Sequence, residues 1–294
     1  MGKVTVRVPA TSANLGPGFD SFGCALALYN TYTFEQIKEG LEISGCPEEF
    51  QNAENLSILA YRYALDAMAL PTEPLRLHIQ ADIPVCRGLG SSSAMIIGGI
   101  LAANALHGAP FSTEEMLALC TVLEGHPDNL APALYGGMTA SLMRNGKPVT
   151  AHFPLSDKLR FFALVPDFPL STRLARSVLP QRVPFEDAVF NVSHAALLLR
   201  ALETADTDMI ALAMDDRLHQ PYRKGMIKGY DAAEAVAKEC GVTAFCISGA
   251  GPTCLCIATD EEVGVRLSAR LPLVCPGWQV YSLWLDTEGA KIIG

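Results

Sequence analysis

Valines at positions 4, 6 and 8 alternate with Thr5 and Arg7, the period-two pattern of a strand with one buried face, and Pro9 predicts its end. Ala10 to Gly23, rich in Gly, Asn, Ser and Pro, reads as a loop long enough to carry function. Residues 26–37 (LALYNTYTFEQI) read as strand, Asn55 caps an apolar helix through Met68, and LRLHIQADIP alternates again up to Pro84. A glycine-serine turn, Arg87 to Ser93, then leads into an apolar helical run from Ala94 to about His107. Ser112 and Glu115 form a capping box for a helix to about Glu124, after which GHPDN turns the chain.

Around Pro154 to Arg160 the pattern resets. The strand FFALVPD is followed by helices over 185–203, 209–220 and 231–240, the last stopped by Gly241, and by strands FCIS, CLCIAT and WQVYSLWLD. We place a boundary near residue 153, giving halves of 1–153 and 154–294. Strands and helices mix without regular βα alternation, so the fold class is α+β rather than a doubly wound sheet. No internal repeat or low-complexity tract interrupts this pattern.

Composition narrows the function classes. The 294 residues carry 22 Lys+Arg against 31 Asp+Glu, a net charge of −9, which argues against a general nucleic-acid surface. Half the residues are hydrophobic and 18% are charged, enough apolar material for a packed core. The nine cysteines form no Cys-x-x-Cys pair, and Cys246, Cys254 and Cys256 sit in apolar runs as small hydrophobes. A reduced, cytoplasmic setting is the expectation. The most apolar helical stretch, Ala94 to Leu106, is too short to span a bilayer, so no membrane association is expected.

Three segments invite chemistry on their residues alone. In Pro84–Ala94 (PVCRGLGSSSA), Gly88 and Gly90 let backbone approach an anion, three serines add hydroxyls, and the next helix supplies free amides at its N-terminus. The segment has neither the Walker lysine nor the three-glycine dinucleotide spacing, and an ordinary tight turn with a serine cap is the alternative. Ser248–Thr253 (SGAGPT) reads by itself as a hairpin turn. Glu124–Asn129 (EGHPDN) could bind Mg²⁺, supply a proton acceptor, or be a solvated helix-end loop. Zinc is disfavoured because His126 has no second His or Cys at ligand spacing.

Together with Pro9–Gly23 (PATSANLGPGFDSFG), these segments in this order resemble the GHMP small-molecule kinase superfamily, and within it the homoserine kinase family. The first segment differs from the PGK-like start of mevalonate-type kinases and the PAKIN-like start of isoprenoid-intermediate kinases. The resemblance implies an N-terminal domain like the second domain of ribosomal protein S5, a ferredoxin-like C-terminal domain, and an active site between them. It implies ATP and Mg²⁺ as cofactors, L-homoserine as substrate, and a homodimer by family habit.

By that resemblance Pro84, Val85, Cys86, Arg87, Gly88, Leu89, Gly90, Ser91, Ser92, Ser93 and Ala94 wrap the triphosphate, with Asn55 near the adenine. Ser92, or Ser91, holds Mg²⁺ with Glu124. Thr172, Arg176 and Arg223 match family segments in LSTRLARSVLP and HQPYRKG, and the two arginines would clamp the substrate carboxylate. Asn14, Asp20, His126 and Asn129 would bind the amino and hydroxyl ends. In-line transfer of the γ-phosphoryl would yield O-phosphohomoserine and ADP. Asn129 would face the hydroxyl, leaving open whether Asp128 is a base or no side-chain base acts. The third serine of GLGSSSA and the compact EGHPDN depart slightly from the family pattern. A mevalonate-like kinase and a non-catalytic ligand-binding regulator on the same fold are the rival readings.

Overall fold

The computed structural model describes residues 2–294. The first half builds a seven-stranded sheet from β1 (Lys3–Ala13), β2 (Phe22–Gln36), β3 (Leu41–Ser44), β4 (Leu75–Ala81), β5 (Met138–Arg144), β6 (Lys147–Phe153) and a late strand described below. Four helices accompany it: α1 (Leu56–Ala67), α2 (Ser91–Leu106), α3 (Thr113–Glu124) and α4 (Leu130–Tyr135). The fifteen-residue β2 is the spine, pairing with β1 on one side and with both β4 and β5 on the other. Helix α2 is apolar around most of its circumference, as a helix enclosed by its neighbours must be. The valines at 4, 6 and 8 are buried as their alternation requires.

Strand β1 corrects the first expectation. It does not stop at Pro9 but continues to Ala13, with a register shift between Pro9, opposite Tyr29, and Ala10, opposite Leu26. Proline has no N–H to give to a ladder, and a bulge is where a strand can accommodate it. The β2 residues passed over by the shift pair elsewhere, Ala27 donating to the Trp284 carbonyl. The loop therefore shrinks to the residues between Ala13 and Phe22, and Thr11, Ser12 and Ala13 become buried sheet residues.

The second half contains β7 (Arg160–Val165), α5 (Thr172–Ser177), α6 (Phe185–Thr204), α7 (Thr207–Ala213), α8 (Gln220–Arg223), α9 (Tyr230–Glu239), β8 (Ala244–Ile247), β9 (Cys254–Ala258), α10 (Glu262–Val274) and β10 (Gln279–Leu283). Its four strands pair antiparallel in the order β10-β7-β9-β8. In chain order that is 4-1-3-2, the ferredoxin-like arrangement, so the α+β class and the two-part architecture stand as expected. The helix expected over 209–220 is divided: α7 ends at Ala213, and the chain turns before α8. Helix α10 and the β5–β6 hairpin were not anticipated.

After β10 the chain returns to the first sheet. Leu285 bridges to Leu26, and β11 (Lys291–Ile292) pairs with β1. Asp286 fastens this return by accepting the Tyr29 hydroxyl at 2.8 Å and the amides of Glu288 and Gly289. Strand pairing thus assigns the last ten or so residues to the sheet of the first half, although a cut at 153/154 puts them in the second. All nine cysteines are unpaired, and seven are buried. Among the described residues no helix is long and apolar enough to cross a membrane.

Candidate active site

A cavity of about 240 Å³ lies between the halves. The first half lines it with Cys86 to Gly88, Gly90 to Ser92, Glu124, His126, Asp128 and Asn129; the second contributes Thr172, Arg176, Arg223 and Gly249 to Gly251. A larger open depression of about 590 Å³ beside α7 and β8 lacks such a convergence of glycine loop, helix end and arginines.

The glycine segment is the floor. Helix α2 begins at Ser91, three residues earlier than expected, and its N-cap is Gly90 in the left-handed conformation with no side-chain cap. The serine-capped turn, the bland alternative, is therefore not what forms. The first amides of α2 have no intrahelical acceptor and carry the positive end of the helix dipole. Two glycines are sterically required. A Cβ on Gly90 would lie 2.0 Å from Thr11 Oγ1, and one on Gly88 would lie 2.4 Å from the Ser248 carbonyl.

Ser91 has a buried hydroxyl with no partner, an atom that a bound oxyanion or cation could satisfy. Ser92 and Ser93 donate to one oxygen of Glu124, at 2.6 and 3.1 Å. Among the described residues no cluster of three or more His, Cys, Asp or Glu side chains forms an all-protein metal cage. One carboxylate beside hydroxyls suits Mg²⁺, which keeps waters and takes further oxygens from phosphate.

Glu124 ends α3, Gly125 in the left-handed region terminates it, and the short turn brings Asp128 and Asn129 to the start of α4. The Asp128 carboxylate is 1% exposed, and its Oδ1 receives both the His126 imidazole and the Asn129 amide. The hydrogen bond to Asp128 raises the His126 pKa. Asn129 Oδ1 accepts the Thr11 hydroxyl at 2.8 Å.

Helix α5, capped by Ser171, brings Thr172 and Arg176 to the opposite wall. Arg176 makes a two-pronged pair with Asp20, at 2.9 and 2.7 Å, which raises its pKa. Arg223 is different. It is 1% exposed and has no carboxylate partner among the described residues, bonding instead to the carbonyls of Ala175 and Gly249 through Nε and Nη1. Burial, reinforced by Arg176, lowers its pKa to about 10, so it remains a cation at neutral pH. A buried, unpaired cation is costly unless an anion arrives.

Several sequence candidates serve the frame. Asn14 lines the cavity, and it also donates to the Gly249 carbonyl at 2.9 Å and accepts the Asp20 amide, holding the first loop in shape. Arg87 lines the cavity, but its guanidinium donates to the carbonyls of Pro166 and Asp167, clipping the glycine segment to the second half. Pro84, Leu89, Ser93 and Ala94 lie outside the cavity lining, as does Asp20, which reaches the site through Arg176. Asn55 is also outside it; its amide caps α1 by accepting the Ser57 amide and donates to Phe50.

The SGAGPT turn is a hairpin, but more than that. Gly249 donates to the Ala13 carbonyl, and the Ser248 hydroxyl donates to Gly88 at 2.6 Å. His219, to which the sequence suggested no role, is fully buried, pairs its Nε2 with the Gly16 carbonyl at 2.8 Å and stacks on Phe19. Burial lowers its pKa. Its position four residues before Arg223 was the only available signal.

With this geometry in place, comparisons agree in kind. The family description "GHMP kinases N terminal domain" matches residues 55–137, and "GHMP kinases C terminal" matches residues 198–277. A homoserine kinase of Clostridium beijerinckii is 41% identical over 99% of this chain and 98% of its own. One of Clostridium botulinum is 40% identical over 98% of each. Among solved structures, a homoserine kinase from Cytophaga hutchinsonii superposes with a TM-score of 0.88 at 26% identity, covering 100% of this chain and 98% of that one. A putative homoserine kinase of Listeria monocytogenes gives 0.82 at 32%, covering 99% of both. A mevalonate kinase of L. major shares the fold at a TM-score of 0.73 and 15% identity over 98% of this chain and 97% of its own.

Proposed function

This chain belongs to the homoserine kinase family of the GHMP kinases, and we propose that its cavity transfers the γ-phosphoryl of ATP to the side-chain hydroxyl of L-homoserine, forming O-phospho-L-homoserine and ADP. The observation that carries the amino-acid half of this reading is Arg223, a buried cation without a carboxylate of its own, facing the same cavity as the amide-rich start of α2.

The residues divide the work by charge. The open amides of Ser91 to Ser93 and the Ser91 hydroxyl receive phosphate oxygens, the pairing that helix N-termini favour. Glu124 with Ser92 would hold Mg²⁺, which neutralises phosphate charge when bound. Arg223, with Arg176, takes the substrate carboxylate. Asp20, outside the cavity lining and held beside it by Arg176, would take the ammonium, so that the charge pair Asp20–Arg176 is matched by a zwitterion of complementary sign. Asn129 meets the hydroxyl. The oxygen–phosphorus bond to homoserine forms as the bond to the ADP oxygen breaks, and the hydroxyl proton passes late to an oxygen of the transferred phosphoryl group and from there to solvent water.

We assign that departure to no side-chain base. Asp128 already has one carboxylate oxygen shared by the His126 imidazole and a backbone amide, and a loose transition state demands little prior deprotonation. Asp128 instead fixes His126 and the Asn129 backbone.

Arg223→Met tests the site directly, because methionine fills similar space without charge. Losing a buried charge partner typically costs at least about 2 kcal/mol, or roughly 30-fold, so kcat/KM for homoserine should fall by that factor or more. KM for ATP should stay within about threefold. An unchanged kcat/KM for homoserine would remove Arg223 from substrate recognition.

A further inference from the structure

Thr11 lies 118 residues from Asn129 in sequence and is wholly buried, outside the cavity lining. It is in the sheet only because β1 passes through the Pro9 register shift instead of ending there. Its amide donates to the Leu89 carbonyl at 3.2 Å, and its hydroxyl oxygen lies against Gly90, the residue that opens α2. The same hydroxyl donates to Asn129 Oδ1 at 2.8 Å. One side chain thus touches both the phosphate-facing turn and the residue assigned to the acceptor hydroxyl.

The hydrogen-bond inventory fixes the orientation of Asn129. A buried threonine hydroxyl must give its proton to an acceptor, and Asn129 Oδ1 is the acceptor it has. That choice leaves Asn129 Nδ2, which makes no hydrogen bond among the described residues, as the free polar atom of a side chain that lines the cavity. Nδ2 is a donor only. It can hold the substrate oxygen through a lone pair but cannot take its proton.

We propose that Thr11 is a positioning residue for phosphoryl transfer, fixing the side-chain amide of Asn129 with Nδ2 toward the acceptor hydroxyl and tying it to the turn that carries the phosphates. The proposal rests on the functional reading above. Its effect is expected in kcat, because it concerns the alignment of two bound groups rather than the binding of either.

The test compares Thr11→Val, which keeps the shape and removes the hydroxyl, with Thr11→Ser, which restores it. Thr11→Val leaves Asn129 Oδ1 without its donor, and kcat should fall about tenfold or more, with KM for ATP within about twofold. Thr11→Ser should recover kcat to within about threefold of the original chain. In an Asn129→Ala background, adding Thr11→Val should change kcat by less than about twofold, since the partner is gone. Melting temperatures measured alongside identify a folding defect, in which case Thr11→Ser and the double-mutant comparison decide. Equal kcat for Thr11→Val and the original chain overturns the proposal, as does a full additional loss in the Asn129→Ala background. Absence of homoserine turnover by the original chain would instead remove the functional reading.

Discussion

At the scale of single residues, charge placement explains the cavity better than charge count. Arg176 is answered by Asp20, whereas Arg223 is held by carbonyl oxygens and retains its positive charge for a ligand. Asp128 is a charged group of the facing wall, and its geometry argues for orienting rather than proton transfer. Asp128→Asn should therefore lower kcat by no more than about tenfold, below the roughly 10²- to 10⁴-fold expected for a general base. A steady-state loss of 10²-fold or more with homoserine would restore Asp128 as the base. Glu124, Ser92, His126 and Asn129 were legible because short motifs place the chemistry-bearing residues side by side. Thr11 and His219 were not, because their partners are 118 and 203 residues away and only the folded chain brings them together.

At the scale of elements, the alternating and apolar runs located most strands and helices, while their ends depended on tertiary contacts. Pro9 reads as a stop, yet neighbouring β2 and the returning C-terminal segment absorb the bulge it needs. The serines at 91–93 read as turn residues, yet the left-handed Gly90 lets the helix begin among them. Helix α10 had a readable stripe, with Val263, Leu267 and Leu271 buried at four-residue spacing, and the glycine and proline in the segment obscured it. Asn55 shows the converse. The residues suggest an N-cap and the family resemblance implies an adenine contact, and the side-chain amide makes the cap. Asn55→Ala should destabilise the chain by about 0.5–2 kcal/mol, seen as a lower melting temperature, with KM for ATP unchanged. A raised KM for ATP with unchanged melting would place Asn55 at the nucleotide instead.

At the scale of the molecule, the two halves are joined by more than a linker. Arg87 reaches the second half, Gly249 pairs with Ala13, and the C-terminal strand closes the first sheet. The α+β class was readable because strands and helices mix along the chain without regular alternation. The return of β11 was not, since two paired residues leave little pattern in a sequence. The net charge of −9 excludes little about a nucleotide site, because helix amides and hydroxyls can receive phosphate without side-chain cations, and the start of α2 offers both. Two arginines from the second half face the same cavity.

An interdomain cavity with these residues should phosphorylate an amino acid bearing a terminal hydroxyl. Coupled ADP release measured with L-homoserine, L-serine, L-threonine and mevalonate, with and without Mg²⁺, tests it most directly. Mg²⁺-dependent turnover with L-homoserine should lie far above that with the other three. Preferred turnover of mevalonate, or binding of homoserine without any ADP release, would contradict it.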